Sequence, residues 1–282
     1  MEVNPDPFRG AVSFGLEVSV GRGVVAETWL NDILLARKEA SQIAGQSLAI
    51  HHDVIQGENL AQVRIALPGM AMDQPPAAWT GDLDAGAHAQ IGLQGDVVSI
   101  TGDEMTVTTH RYAREAWSAD AEPGAAVMMP MRIDLPFVPH CAVPGPLWAS
   151  AQRVDPAAVA DAVLTQTVAV GEMIRGARWD AMANVTAARR AHTARCYPAG
   201  PDSQERREHE IQVLAELHAQ PGFRVNMAAQ GQARLRVQAN GRLFDWVRED
   251  GRPMILLEAD GIAPAPVQLQ FGVVSGQLEI LR

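Results

Sequence analysis

Apolar positions recur at two different periods in the two halves of the chain. In residues 10–20 and 24–36 they follow at short, strand-like intervals, and Leu60-Ala61-Gln62-Val63-Arg64-Ile65 is an alternating run. Residues 46–52, 105–109 and 127–137 have the same texture. A period near two places successive side chains on opposite faces of an extended backbone, so these segments predict strands. The segment Trp29-Leu30-Asn31-Asp32-Ile33-Leu34 predicts a hairpin turning at Asn31-Asp32, two residue types that tolerate the positive φ a two-residue turn needs. A second turn is signalled at Gln56-Gly57-Glu58-Asn59. Six or more short strands with polar turns predict an antiparallel, jelly-roll-like β-sandwich.

The second half opens on a helical period. Asp155 is placed to cap, Pro156 suits the first helical position, Val159, Val163, Val170 and Ile174 recur at helical spacing, and Gly176 ends the run. A second helix is predicted over 179–196, with Met182, Val185, His192 and Cys196 near one face. A third follows Asp202-Ser203, with Glu205 completing a capping box, and stops at Pro221-Gly222. Beyond it lies a meander. A two-residue loop at Asn240-Gly241 pairs Ala239 with Arg242, Val237 with Phe244 and Leu235 with Trp246, and sets Asp245 across from Arg236. Asp250-Gly251 and Ser275-Gly276 repeat the device, the latter pairing Val273 with Leu278 and Phe271 with Ile280. Three helices followed by one twisted antiparallel sheet make an α+β unit. The proline-rich stretch Pro136, Pro139, Pro144, Gly145, Pro146 separates the halves, giving expected domains of 1–150 and 151–282.

Two resemblances sharpen these expectations. The segments "ETWLNDILLAR" and "LAIHHDVIQGENLAQVRIAL" resemble the galactose-binding-like jelly rolls attached to many glycosidases, with Asn31 at the turn asparagine, Asp53-Val54 at the start of the second element and Gly57-Glu58-Asn59 at its turn. Asp32 stands where that family usually has glycine, and Leu60 follows Asn59 in a slightly shifted register. The resemblance implies a fold carried by structural residues rather than a ligand site. The second half is similar to NTF2-like or SnoaL-like cones in its order of elements and in its last hairpin, "VQLQFGVVSGQLEILR".

Composition narrows the function classes. The chain has 282 residues and a net charge of -10, all of it in the first half: 8 basic and 18 acidic residues up to Ser150, then 15 and 15. That balance disfavours nucleic acid and anionic membrane as partners. Two cysteines exclude a disulfide scaffold or a four-cysteine zinc ribbon, and no run of about 18 apolar residues or apolar export segment is read, so a cytoplasmic location is expected. Lys38 is the single lysine among 23 basic residues, a bias of GC-rich bacterial genomes. Gly21-Arg22-Gly23 lacks the third glycine of a dinucleotide loop, and no phosphate-binding loop, nucleophile elbow or His-Glu-x-x-His motif occurs.

The residues that remain as chemistry candidates are few. His51-His52-Asp53 and His140-Cys141 are metal-competent types, but neighbours on a strand point apart. His192 and Cys196 share a helix face, two ligands short of a site. His192 as base and Asp245 as acid, with Trp179, Tyr197 and Trp246 as pocket wall, are the residues an NTF2-like cavity would use; the cross-strand pairing of Asp245 with Arg236 is the competing, structural reading. The acidic pairs Asp82 and Asp84, and Asp103-Glu104, read as solvated turns rather than calcium loops. No metal and no cofactor is expected. The leading expectation is a non-catalytic binding protein of the bacterial accessory or immunity type, recognising another protein through an acidic sandwich, with a homodimer left open. The alternatives are an isomerase, dehydratase or hydrolase using the second half, and a carbohydrate-binding module, for which the aromatics of the first half (Trp29, Trp79, Trp117, Trp148 and Tyr112) are sparse.

Overall fold

The computed structural model describes residues 11–79, 81, 83, 86–101, 104–119, 126–139, 142–197 and 201–282. His140-Cys141, Asp82, Asp84 and Asp103 lie outside the described residues. The molecule is a mixed α+β protein whose sheets are antiparallel, and it divides into two compact units, Met1–Gly145 and Pro146–Arg282. The turn over Leu147–Ser150 goes with the second unit. There Arg242 Nη1 donates to Ala149 O at 2.7 Å and Ala151 O at 2.6 Å, and Gln152 N donates to Val273 O at 2.8 Å.

In the first unit, β1 (Ala11–Val20), β4 (Ala44–Ala49), β7 (His88–Thr101) and β8 (Glu104–Ser118) form one sheet in the order β4-β1-β7-β8. A second sheet, β10-β5-β2-β3, is built from β2 (Val25–Leu30), β3 (Ile33–Lys38), β5 (Asn59–Ala66) and β10 (Met131–Phe137), and β6 (Ala77–Trp79) pairs with β9 (Val127–Met129). Phe14, Leu16, Val18 and Val20 alternate inward along β1, as do Ala89, Ile91 and Leu93 along β7 and Ala61, Val63 and Ile65 along β5, all of them buried. The Asn31-Asp32 turn has φ of 52° and 63°, the left-handed pair expected of a two-residue hairpin loop. Three segments differ from the expectation. β7 was not anticipated, because Gly92, Gly95 and Asp96 break its apolar alternation at the sequence level. The run 127–137 is two strands separated at Pro130, which has no N–H to contribute to a ladder. Residues 51–53 form a turn after β4 rather than the end of a strand.

The second unit holds, among the described residues, four α-helices: α1 (Pro156–Arg175), α2 (Trp179–Val185), α3 (Ala187–Cys196) and α4 (Ser203–His218). Asp155 caps α1 by accepting from Ala157 N at 3.0 Å, and Asp202 with Glu205 makes the full capping box of α4. α1 is 20 residues long and contains an 18-residue window of mean hydropathy 1.3, long and apolar enough to cross a membrane by those measures, although polar residues interrupt it and it is not an unbroken apolar run. Its buried residues, including Val159, Val163, Val170 and Ile174, lie along one stripe that enters the unit's core.

The single helix expected over 179–196 is broken at Thr186, whose φ is −100° and ψ 6°. The cause is side-chain competition for backbone carbonyls. The buried Thr186 hydroxyl lies 3.2 Å from Met182 O and 3.3 Å from Ala183 O, and Arg190 Nη2 donates to Ala183 O as well. Met182, His192 and Cys196 remain buried, while Val185, just before the break, is exposed.

The expected single meander is two sheets. One is β11-β14-β15, from Arg224–Met227, Ile255–Ala259 and Ile262–Val267; the other is β12-β13-β16-β17, from Ala233–Gln238, Leu243–Arg248, Phe271–Val274 and Gln277–Ile280. The chain leaves the second sheet after the Val247↔Pro253 bridge, since Pro253 cannot donate to a continuing ladder. Hairpin register is as expected: Leu235 opposes Trp246, Val237 opposes Phe244, Val273 opposes Leu278 and Phe271 opposes Ile280. Pairing stops at Gln238↔Leu243, however, so the loop has four residues, and Ala239, Asn240 and Gly241 all have positive φ. The anchoring of Arg242 to Ala149 and Ala151, with Val154 N donating to Gly241 O at 3.2 Å, pulls this loop out of the ladder.

Candidate functional site

Asp245 sits where the hairpin register puts it, directly across from Arg236. Both are buried, at 3% and 9% exposure. Arg236 donates to it in a bidentate fork, Nε to Oδ1 at 3.0 Å and Nη2 to Oδ2 at 2.5 Å, and Gln238 Nε2 donates to Oδ1 at 2.8 Å. Gln270 Nε2 in turn donates to Gln238 Oε1 at 3.2 Å. A carboxylate accepting three such bonds is a hydrogen-bonded counter-ion, with its lone pairs turned toward its neighbours.

His192 is buried on α3, its Nε2 3.5 Å from Cys196 Sγ and its Nδ1 3.4 Å from Arg195 Nη2, contacts that follow from i,i+4 and i,i+3 spacing. Trp179 meets the His218 ring edge-on at 5.4 Å, and Trp246 Nε1 donates to Ala160 O of α1 at 3.2 Å; both pack against the apolar core. Tyr197 caps the end of α3. A groove of about 540 Å³ does open in this unit, between α1, the α2–α3 junction and β17, with Val170, Ala169, Ala187 and Ile280 among its apolar lining and Gln166, Asn184 and Glu279 as polar lining. His192, Asp245, Trp179, Tyr197 and Trp246 are not among its lining residues.

In the first unit, His51 is buried and His52 half-buried, with His52 Nε2 3.4 Å from Asp53 Oδ2. Burial, seconded by the neighbouring His52 charge, lowers the His51 pKa below its ordinary value. No group of three or more metal-ligating side chains occurs among the described residues. Asn31 and Asn59 instead tie two turns together. Asn59 Oδ1 accepts from Asn31 Nδ2 at 2.8 Å and Ile55 N at 2.9 Å, its Nδ2 donates to Ile55 O and Gly57 O, and Asn31 Oδ1 accepts from Leu60 N at 3.0 Å.

The features that sequence reasoning missed lie on the outer face of the β4-β1-β7-β8 sheet. A groove of about 460 Å³ is floored by Gly92 and walled by Glu17, Gln90, Arg111, Tyr112 and Arg114. Strict alternation places this polar row there: Glu17 lies between inward Leu16 and Val18, and Gln90 and Gly92 flank inward Ile91. That period was legible in β1; in β7 the glycines masked it.

Charge in this unit is lopsided in a specific way. Most of its described cations are engaged internally: Arg37 with Glu27 and Glu39, Arg111 with Glu17, Arg132 with Asp134, Arg114 with Gln90, and Arg64 over the Trp29 ring at 4.2 Å, whereas Arg22 is exposed. Lys38 is buried and donates to Gly21 O and Val24 O. By contrast Glu58, Asp73 and Glu115 are exposed and have no ion pair among the described residues. Comparison with protein-family models, curated proteins and solved structures gives no match.

Proposed function

We propose that this chain is a non-catalytic binding protein whose first unit, a galactose-binding-like jelly roll, recognises a basic protein partner, and whose second unit is an NTF2-like cone. The observation that carries the reading is the charge arrangement of the first unit. Most of its described arginines and its one lysine are engaged within the unit, Arg22 being the exposed exception, while Glu58, Asp73 and Glu115 present to solvent negative charge that no described cation pairs. Such a surface speeds encounter with a cationic partner and rejects anionic ones, and the attraction is screened within about 10 Å at 0.1 M salt. The second unit fits the same reading, because Asp245 is saturated by Arg236 and Gln238.

The test is native mass spectrometry of the tagged full chain recovered from lysate of its source organism, repeated across a salt series and with the triple variant Glu58→Lys, Asp73→Lys, Glu115→Lys. The expected result is a stoichiometric adduct with a basic protein that is lost at high salt and in the variant. An adduct indifferent to both, or a small-molecule adduct in place of a protein, would overturn the reading.

A further inference from the structure

Between helices α3 and α4 lies a shallow, open pocket of about 220 Å³ lined by Arg189, Arg190, Thr193, Arg206, His209 and Glu210. Glu210 is the one carboxylate in that lining. It accepts from Arg189 Nη2 at 2.8 Å and from Arg190 Nη1 at 2.7 Å. Arg190 is only 7% exposed; its Nη1 also donates to Thr186 Oγ1 and its Nη2 to Ala183 O, while its Nε is buried with no hydrogen-bond partner among the described residues. Arg206 spends its Nε on Pro201 O at 2.8 Å, leaving its two terminal nitrogens directed to no acceptor among the described residues. The other carboxylates of the first half of α4 are occupied: Glu205 accepts from Asp202 N and Glu208 from Gln204 Nε2.

Three guanidiniums facing one carboxylate leave a formal charge of +2 in a partly desolvated pocket. Burial is the main cause that lowers the Arg189 pKa; Glu210 opposes it, and the charges of Arg190 and Arg282 add to it. The terminal N–H groups of Arg206 form a planar donor pair that matches the oxygens of a tetrahedral oxyanion.

We propose that this pocket binds a phosphate group, either inorganic phosphate or the phosphoryl end of a small phosphomonoester. Phosphate carries roughly −1.5 to −2 at neutral pH and so neutralises the pocket, whereas a single carboxylate would offset only half of its charge. The second half is neutral overall, with 15 basic and 15 acidic residues, which argues against a long polyanion at the same place.

The test is isothermal titration of the full chain with inorganic phosphate and, in parallel, with glycerol 3-phosphate, against sodium chloride at matched ionic strength and pH 7. Saturable binding is expected, weakened roughly tenfold or more by Arg206→Gln. Arg206 stands outside the Arg190–Glu210–Thr186 network, so the melting temperature of that variant without phosphate should match the parent. A preference for phosphate over the monoester assigns the free anion, and equal binding assigns the phosphoryl end of a larger molecule. No heat beyond that of chloride, or binding untouched by Arg206→Gln, would overturn the proposal.

Discussion

Replacing Asp245 by alanine removes the acceptor of three hydrogen bonds from a site where the guanidinium of Arg236 is nine-tenths buried. The Coulombic attraction lost is not the main quantity. Arg236 would be left charged with its fork unpaired, and breaking a buried pair by removing one partner costs about 3–5 kcal/mol. The orphaned Gln238 amide adds on the order of 1 kcal/mol. For a unit of this size, that is a fall in melting temperature on the order of 10 °C or more. Urea unfolding followed through Trp246, which neighbours Asp245 on β13, reads the change at its source. The double variant Arg236→Met, Asp245→Leu separates the desolvation penalty from packing, and should recover most of the loss, since apolar replacement of a buried pair is often neutral. A single alanine variant that loses under about 1 kcal/mol would show that Arg236 reaches water, and the structural assignment of Asp245 would fall with it.

Asn59→Ala removes four side-chain hydrogen bonds, three that close the turn at 55–59 and one from Asn31, and it should cost about 2–3 kcal/mol in chemical denaturation of the first unit, whereas Asn31→Ala, which removes two, should cost less. Because burial lowers the His51 pKa from 6.5, the unfolded chain takes up that proton first; stability should therefore decline as pH falls below 6.5 through the folded value, and His51→Gln should flatten that limb of a urea-midpoint profile. Lys38, lowered from 10.5 chiefly by burial with Glu39 opposing, acts in the same direction in an alkaline window: stability from this group rises as pH climbs toward 10.5. Its ammonium is enclosed by Gly21 O and Val24 O, so an amine-reactive reagent followed by peptide mass spectrometry should modify Lys38 only after denaturation.

What the sequence determined by itself was local chemistry. The caps at Asp155 and Asp202, the left-handed turn at Asn31-Asp32 and the registers of the β12–β13 and β16–β17 hairpins all depend on residues within a few positions of one another, and turn geometry sets a hairpin's register before any distant contact forms. Even the pairing of Asp245 with Arg236, the decisive fact about the leading catalytic candidate, followed from that register. The tertiary structure decided what depends on contacts far apart in the chain. It made β7 a central strand, because β1 and β8 supply ladder partners that override Gly92 and Gly95. It broke the helix at Thr186, because Arg190 takes hold of the Ala183 carbonyl while Glu210 of another helix holds Arg190 in place. It sent β14 to a different sheet from β13. The arginine pocket was invisible for the same reason: Arg189 and Arg206 sit on separate helices, and a stripe of arginines on one helix reads as a solvated face until a second helix packs beside it and removes part of the water that would have screened their charge.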